Sequence, residues 1–323
     1  MCHPALVSAT IPASRLGLGD AVAIGAAAML GAGVFTVFAP AARAAGDLLP
    51  LALLVAAIVA MANAFSTAQL AAQYPVAGGA YAYGRARLGQ WPGFAAGWMF
   101  VVGKLASCAA IALTVGAYAW PGHERPVASL AVVAMTAINL AGVTRTARAA
   151  RLSVIVVLAV LLVAVVIGVT VPPTSGGASA ILDGPPNAAS LTGVLQAAGL
   201  VFFAFAGYAR IATLGGAVRD GARTIPRAII LTLTGVLGLY VLIAAVLLRE
   251  LGPRRLATSA APLLDLVAGA PWAGPFVTAG AAIAGLGSLL VLLAGISRTA
   301  GAMARAGDLP RPLGSKRERP LVA

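Results

Sequence analysis

The chain is divided into long, uninterrupted apolar stretches, and no other feature restricts its fold so strongly. Crossing the hydrocarbon layer of a membrane takes about 20 residues of helix. Stretches of about that length lie at residues 18–42, 48–72, 94–119, 127–143, 152–171, 191–214, 228–248 and 274–297. They are rich in Ala and Leu and do not alternate with polar residues, which argues against the strands of a membrane barrel. Hydrophobic residues make up 60% of the chain and charged residues only 10%, too few to clothe a water-soluble surface. The expected fold class is an all-α polytopic membrane protein with about eight transmembrane helices.

The formal net charge of +13 would suggest a nucleic-acid partner if it were concentrated in one basic domain. Instead the charges sit in short segments between apolar stretches, so no nucleic acid is expected. Alternate segments, counted from the amino terminus, hold Arg15, Arg85, Arg87, Arg145, Arg148, Arg151, Arg219, Arg223 and Arg227. The carboxyl-terminal tail adds Arg298, Arg305, Arg311, Lys316, Arg317 and Arg319. The opposite segments hold only Arg43, Arg125, Arg249, Arg254 and Arg255. Fifteen basic residues against five place both termini in the cytoplasm of a multi-pass protein of the cytoplasmic membrane. Cys2 and Cys108 are far apart, and His3 and His123 lie in a tail and a loop, so no disulfide framework or metal motif is legible. The first fourteen residues lack the basic cluster and apolar run of a cleavable signal. No nucleophile, base and acid meet at one membrane depth, so an enzyme is not expected and neither is a cofactor.

Two spans carry a small-residue step at mid-depth. The first contains Gly31-Ala32-Gly33-Val34-Phe35. Each glycine weakens a helix by about 1 kcal/mol relative to alanine. The stretch is therefore either unwound, with backbone N–H groups free to bind an anion, or a face for close helix packing. The sixth contains Phe202-Phe203-Ala204-Phe205-Ala206-Gly207-Tyr208, which reads either as a second break or as ordinary apolar packing. Breaks at corresponding places in two halves of a chain point to a transporter site. Two cations lie within spans. Lys104 costs about 2.5–3.5 kcal/mol at mid-membrane and is expected either to face a cavity or to bond the carbonyls of a broken helix. Arg210 is expected either to close a gate with an acidic partner or to bond orphan carbonyls. Asp20 reads as the cap of the first helix, and Glu250 and Asp265 as solvated. Three connections exceed a tight turn: 74–90, 172–190, and 249–272, where residues 260–270 suggest a short helix outside the membrane core.

These motifs resemble the amino acid–polyamine–organocation permeases. Asp20, Met29 and Gly31-Ala32-Gly33-Val34-Phe35 look like that family's first helix. Tyr74-Pro75-Val76-Ala77-Gly78-Gly79-Ala80-Tyr81 with Gly84 look like its first cytoplasmic loop, and Gly97-Trp98 like the start of its third helix. Asn139-Leu140-Ala141-Gly142-Val143 match the end of its fourth. Gly207-Tyr208 and Arg223-Thr224-Ile225-Pro226-Arg227-Ala228 match its sixth helix and following loop. Ser297-Arg298 and Met303-Ala304-Arg305-Ala306-Gly307-Asp308-Leu309-Pro310 match the exit of its eighth. The resemblance implies two inverted five-helix repeats with broken first and sixth helices. It places a substrate carboxylate at the amides of Gly31, Ala32 and Gly33. The ammonium would meet carbonyls near Met29 and around Phe203, Ala204 and Ala206, with Phe205 also at the substrate and Tyr208 and Arg210 as gating or coupling candidates.

Four departures qualify the match. Ala209 stands where many relatives have Glu, Gly215-Gly216-Ala217 where they have acids, and Val157 where proton-coupled relatives have Lys. The chain also stops at Ala323, where a ninth helix is expected, so a fragment, a pseudogene-like product or a truncated open reading frame is expected, with a separate polypeptide carrying the missing helices. The expected organisation is a tail at 1–17, a first repeat at 18–171, an external loop at 172–190, a partial three-helix repeat at 191–298 and a tail at 299–323. The expected function is a secondary transporter of amino acids or related amines; the alternative is a non-transporting partial permease or a membrane amino-acid sensor. Two basic residues and no acid at mid-depth favour a neutral or acidic amino acid as substrate.

Overall fold

The computed structural model describes residues 16–74, 78–140, 146–171, 190–214 and 218–310. The tails, the connection at 172–189 and residues 75–77, 141–145 and 215–217 lie outside the described residues. The expectations that fall on them, the long outer loop above all, lie there too.

Within the described residues the apolar stretches are helical. The first span is three helices in series: α1 (Leu18–Met29), α2 (Ala32–Thr36) and α3 (Phe38–Ala45). Then follow α4 (Leu49–Gln73), α5 (Ala80–Leu88), α6 (Gln90–Ala119), α7 (Glu124–Leu140) and α8 (Thr146–Thr170). The sixth span consists of α9 (Leu191–Phe205), a 3-10 turn (Ala206–Tyr208) and α10 (Ala209–Ala212). The chain continues through α11 (Gly221–Thr258), α12 (Pro262–Leu266), a second 3-10 turn (Pro271–Ala273) and α13 (Gly274–Arg305). Seven helical stretches are long and apolar enough to cross a membrane. The expected fourth span, α7, has 17 described residues and falls just short of that length.

Two elements differ from expectation. The connection at 74–90 contains α5, whose mixed composition hid it. Gly89, at φ 97°, separates α5 from α6 in a backbone conformation that suits glycine. The seventh span runs on to Thr258, because Gly252 at φ 70° turns the chain and Pro253 starts a fresh helical stretch. The short helix expected within 260–270 is present as α12.

Small residues set the helix spacing. Ala52, Ala56, Ala60, Ala64 and Ala68 recur every fourth position on α4 and are all buried, where α4 meets α9 and α11. Without side-chain bulk the backbones approach closely, which is how membrane helices gain van der Waals contact. The opposite face of α4 presents Leu51, Leu54, Ile58 and Phe65 outward, as a lipid-facing surface requires. At the end of the bundle where α1 begins, Arg151 of α8 pairs with Asp20, which also accepts a hydrogen bond from the Gly17 amide. Asp20 thus caps α1, as expected, and pairs as well.

Candidate functional site

The first span breaks where its glycines predicted. α1 ends at Met29, and Gly31, with φ −61° and ψ −118°, leaves the helical region before α2 starts at Ala32. Breaking a helix inside a bundle strands its terminal carbonyls, and each buried group left unpaired costs about 1–3 kcal/mol. Three side chains from other helices take up these groups. Ser288 of α13 donates to the Ala27 carbonyl. Tyr240 of α11 donates to the Met29 carbonyl at 2.8 Å, and Tyr118 of α6 to the Phe35 carbonyl at 2.8 Å. Tyr240 is fully buried, with ring contacts to Phe205 at 5.0 Å and Phe38 at 6.0 Å. Sequence reasoning passed over all three, although a polar side chain inside an apolar span is itself a signal.

The sixth span changes differently. The residues from Phe205 to Ala209 keep right-handed helical angles while the hydrogen bonding tightens to a 3-10 turn. The turn lies directly against α1, and a β-carbon on Gly207 would come within 2.7 Å of the Ala28 carbonyl. A β-carbon on Gly33 would come within 2.8 Å of Ala204. In the first span the glycines mark a break; in the sixth the expected break is only a tightening of the helix, and in both the small residues let the two spans touch.

A cavity of about 180 Å³ opens beside this crossing, lined among others by Ala28, Met29, Gly33, Thr36, Lys104, Ser107, Phe203, Ala204 and Gly207. A cavity of about 150 Å³ accepts benzene, so this one suits a solute of small amino-acid size. Met29, Gly33, Lys104, Phe203 and Ala204, all expected at the site, line it. Gly31, Phe205, Ala206, Tyr208 and Arg210, also expected there, are not part of its lining. A β-carbon on Gly31 would lie 1.9 Å from the Ser288 hydroxyl, so this glycine serves the contact with α13. The Phe205 ring is buried against Tyr240. Tyr208 is buried, its hydroxyl bonded to Thr67 of α4. Ala206 contributes its carbonyl, which accepts a hydrogen bond from Lys104 Nζ at 3.1 Å. Lys104 thus does what each of its two expectations held: it lines the cavity and it bonds a carbonyl of the altered sixth span. Arg210 lies beyond the cavity wall, only 3% exposed, and donates to the Thr213 hydroxyl. No carboxylate pairs with it among the described residues. Val157, where the resemblance aligns a lysine, is a buried apolar residue.

Residues 16–320 match the amino acid permease family. An uncharacterized transporter of Mycobacterium tuberculosis is 55% identical over 94% of this chain and 69% of its own length. The branched-chain amino acid permease BcaP of Bacillus subtilis is 28% identical over 96% of this chain and 71% of its own. Cationic amino acid transporter 7 of Arabidopsis thaliana is 27% identical over 86% of this chain and 52% of its own. Among solved structures, MhsT in complex with L-phenylalanine superposes with a TM-score of 0.66, covering 94% of this chain and 77% of that one at 18% identity. The fold is shared at that distance.

Proposed function

The chain belongs to the amino acid permease family and is a multi-pass secondary transporter, and from that premise we propose that it carries a small neutral or acidic amino acid through the cavity beside Lys104. The carboxylate is assigned to the amino-terminal end of α2, at the amides of Gly31, Ala32 and Gly33. The first N–H groups of a helix have no acceptor within it, and the dipole there favours negative charge. The ammonium is assigned to the carbonyls of Met29, Phe203, Ala204 and Ala206. Three of these already accept a hydrogen bond, Met29 from Tyr240, Phe203 from the Ala206 amide and Ala206 from Lys104. A carbonyl has two lone pairs, so each can take a second donor.

The observation that carries the selectivity is Lys104, whose ammonium group reaches the cavity wall and is held there by the Ala206 carbonyl. Relatives are named both for branched-chain and for cationic amino acids, and Lys104 is what separates those possibilities here. Two unit charges about 4 Å apart interact by about 4 kcal/mol at an effective dielectric of 20. A cationic side chain is therefore disfavoured, and an anionic one is attracted. The distribution of Lys and Arg supports an orientation in the cell membrane with both termini cytoplasmic.

Uptake of a radiolabelled panel by proteoliposomes containing the chain tests the reading. Alanine, serine or glutamate should accumulate ahead of arginine and putrescine. Arginine or putrescine accumulating best would overturn it.

A further inference from the structure

Arg210 has no part in the site above, and its surroundings are unusual. The side chain is 3% exposed, and its Nε has no hydrogen-bond partner among the described residues. The hydroxyl of Thr299, itself 1% exposed, also has none among them. Both lie at the contact between α10 and α13: a β-carbon on Gly295 would sit 3.2 Å from Arg210 Cδ, and Thr299 follows Gly295 by one helical turn on the same face. The charged group that acts on Arg210 electrostatically is Arg298 of the same helix, also positive.

A guanidinium stays protonated in proteins, and a buried charge requires a counter-charge or full hydrogen bonding. The chain supplies no counter-charge among the described residues. Asp20 pairs with Arg151, Asp308 with Arg85, Asp220 with Arg223 and Glu250 with Arg249. Residues 204–218 contain no acid, and the unmatched stretch Gly215-Gly216-Ala217 is uncharged.

We propose that Arg210 Nε and Thr299 Oγ1 form a binding site for a small monovalent anion, chloride, between the sixth span and α13. It lies on the side of the cavity toward the start of α1, where Ile211 packs on Gly25. A buried donor on the sixth span and another on α13, the helix that meets Arg210 at Gly295, under the field of a second arginine, suit a spherical anion that needs few directed contacts. The site would tie the sixth span to α13 only while the ion is present. The proposal is independent of which amino acid is carried.

The test uses the purified full chain in detergent at constant ionic strength, with gluconate exchanged stepwise for chloride. Melting temperature should rise saturably with chloride, and the rise should be absent in Arg210→Met. Because that variant can fail to fold, Thr299→Val provides a second arm, with the chloride midpoint shifted upward about fivefold for the loss of one hydrogen bond. Crystals soaked in bromide should show an anomalous peak within hydrogen-bonding distance of Arg210 Nε. A melting temperature indifferent to chloride, or an unchanged midpoint in Thr299→Val, would overturn the site. Stronger stabilisation by acetate than by chloride would assign it to a carboxylate instead and overturn the halide reading.

Discussion

Single residues at the first break carry two duties that are hard to separate by mutation. A larger residue at Gly31 would crowd a carboxylate held at its amide, but any side chain there first meets Ser288. Loss of binding in Gly31→Val would therefore report on helix packing as much as on the site. A double-mutant cycle separates them. Gly31→Ala should lower the melting temperature, and adding Ser288→Gly should restore part of the loss, so the pair is non-additive. Additive losses would mean that the two residues do not meet. Tyr240→Phe leaves the ring contacts in place and removes only the donor to the Met29 carbonyl. It should destabilise the protein by about 1–3 kcal/mol in reversible unfolding, the range for a buried group left unpaired. The glycines that mark the break were legible in the sequence. Their partners were not, because Ser288 and Tyr240 lie 261 and 211 positions from the carbonyls they bond. No local pattern connects residues so far apart.

At the level of elements, the long apolar helices followed from length and composition, while the connections followed only in part. α5 mixes tyrosine, arginine and small residues without an apolar face, yet it folds because its side chains reach other elements. Tyr81 donates to Asp308 at 2.8 Å, and Arg85 pairs with the same carboxylate beyond the end of α13. Burial alone would raise the Asp308 carboxyl, but the hydrogen bonds from Arg85 and Tyr81 outweigh it and hold the group below the ordinary carboxylate range. A depressed carboxyl contributes stability that is complete above its unfolded value of about 3.9 and is lost as pH falls through the lower folded value. Asp308→Asn should accordingly melt earlier than the parent chain at neutral pH. The difference should shrink as the pH is lowered below about 4. A gap that persists in acid would show that the carboxylate charge is not what joins α5 to α13. Gly252→Ala, at φ 70°, should destabilise the outer part of α11 by about 1–2 kcal/mol, because an L side chain disfavours the left-handed region.

Across the whole molecule, one cavity, two altered helices and one cation meet. The broken first span and the tightened sixth touch through Gly33 and Gly207, and Lys104 bonds the Ala206 carbonyl from across the cavity. Composition placed that lysine at mid-depth, and helix order placed the two breaks in corresponding spans, so the cavity's main constituents were legible. Its exclusion of Phe205, Tyr208 and Arg210 was not, since those side chains point away from the crossing by amounts that only packing decides. The central claim is that Lys104 sets the charge of the substrate, and competition binding on Lys104→Met measures it most directly. Removing the ammonium should shift the ratio of arginine to glutamate affinity toward arginine by at least about tenfold, since that ratio corresponds to only about 1.4 kcal/mol of lost repulsion and attraction. An unchanged ratio in a variant that folds and still binds alanine would contradict the account.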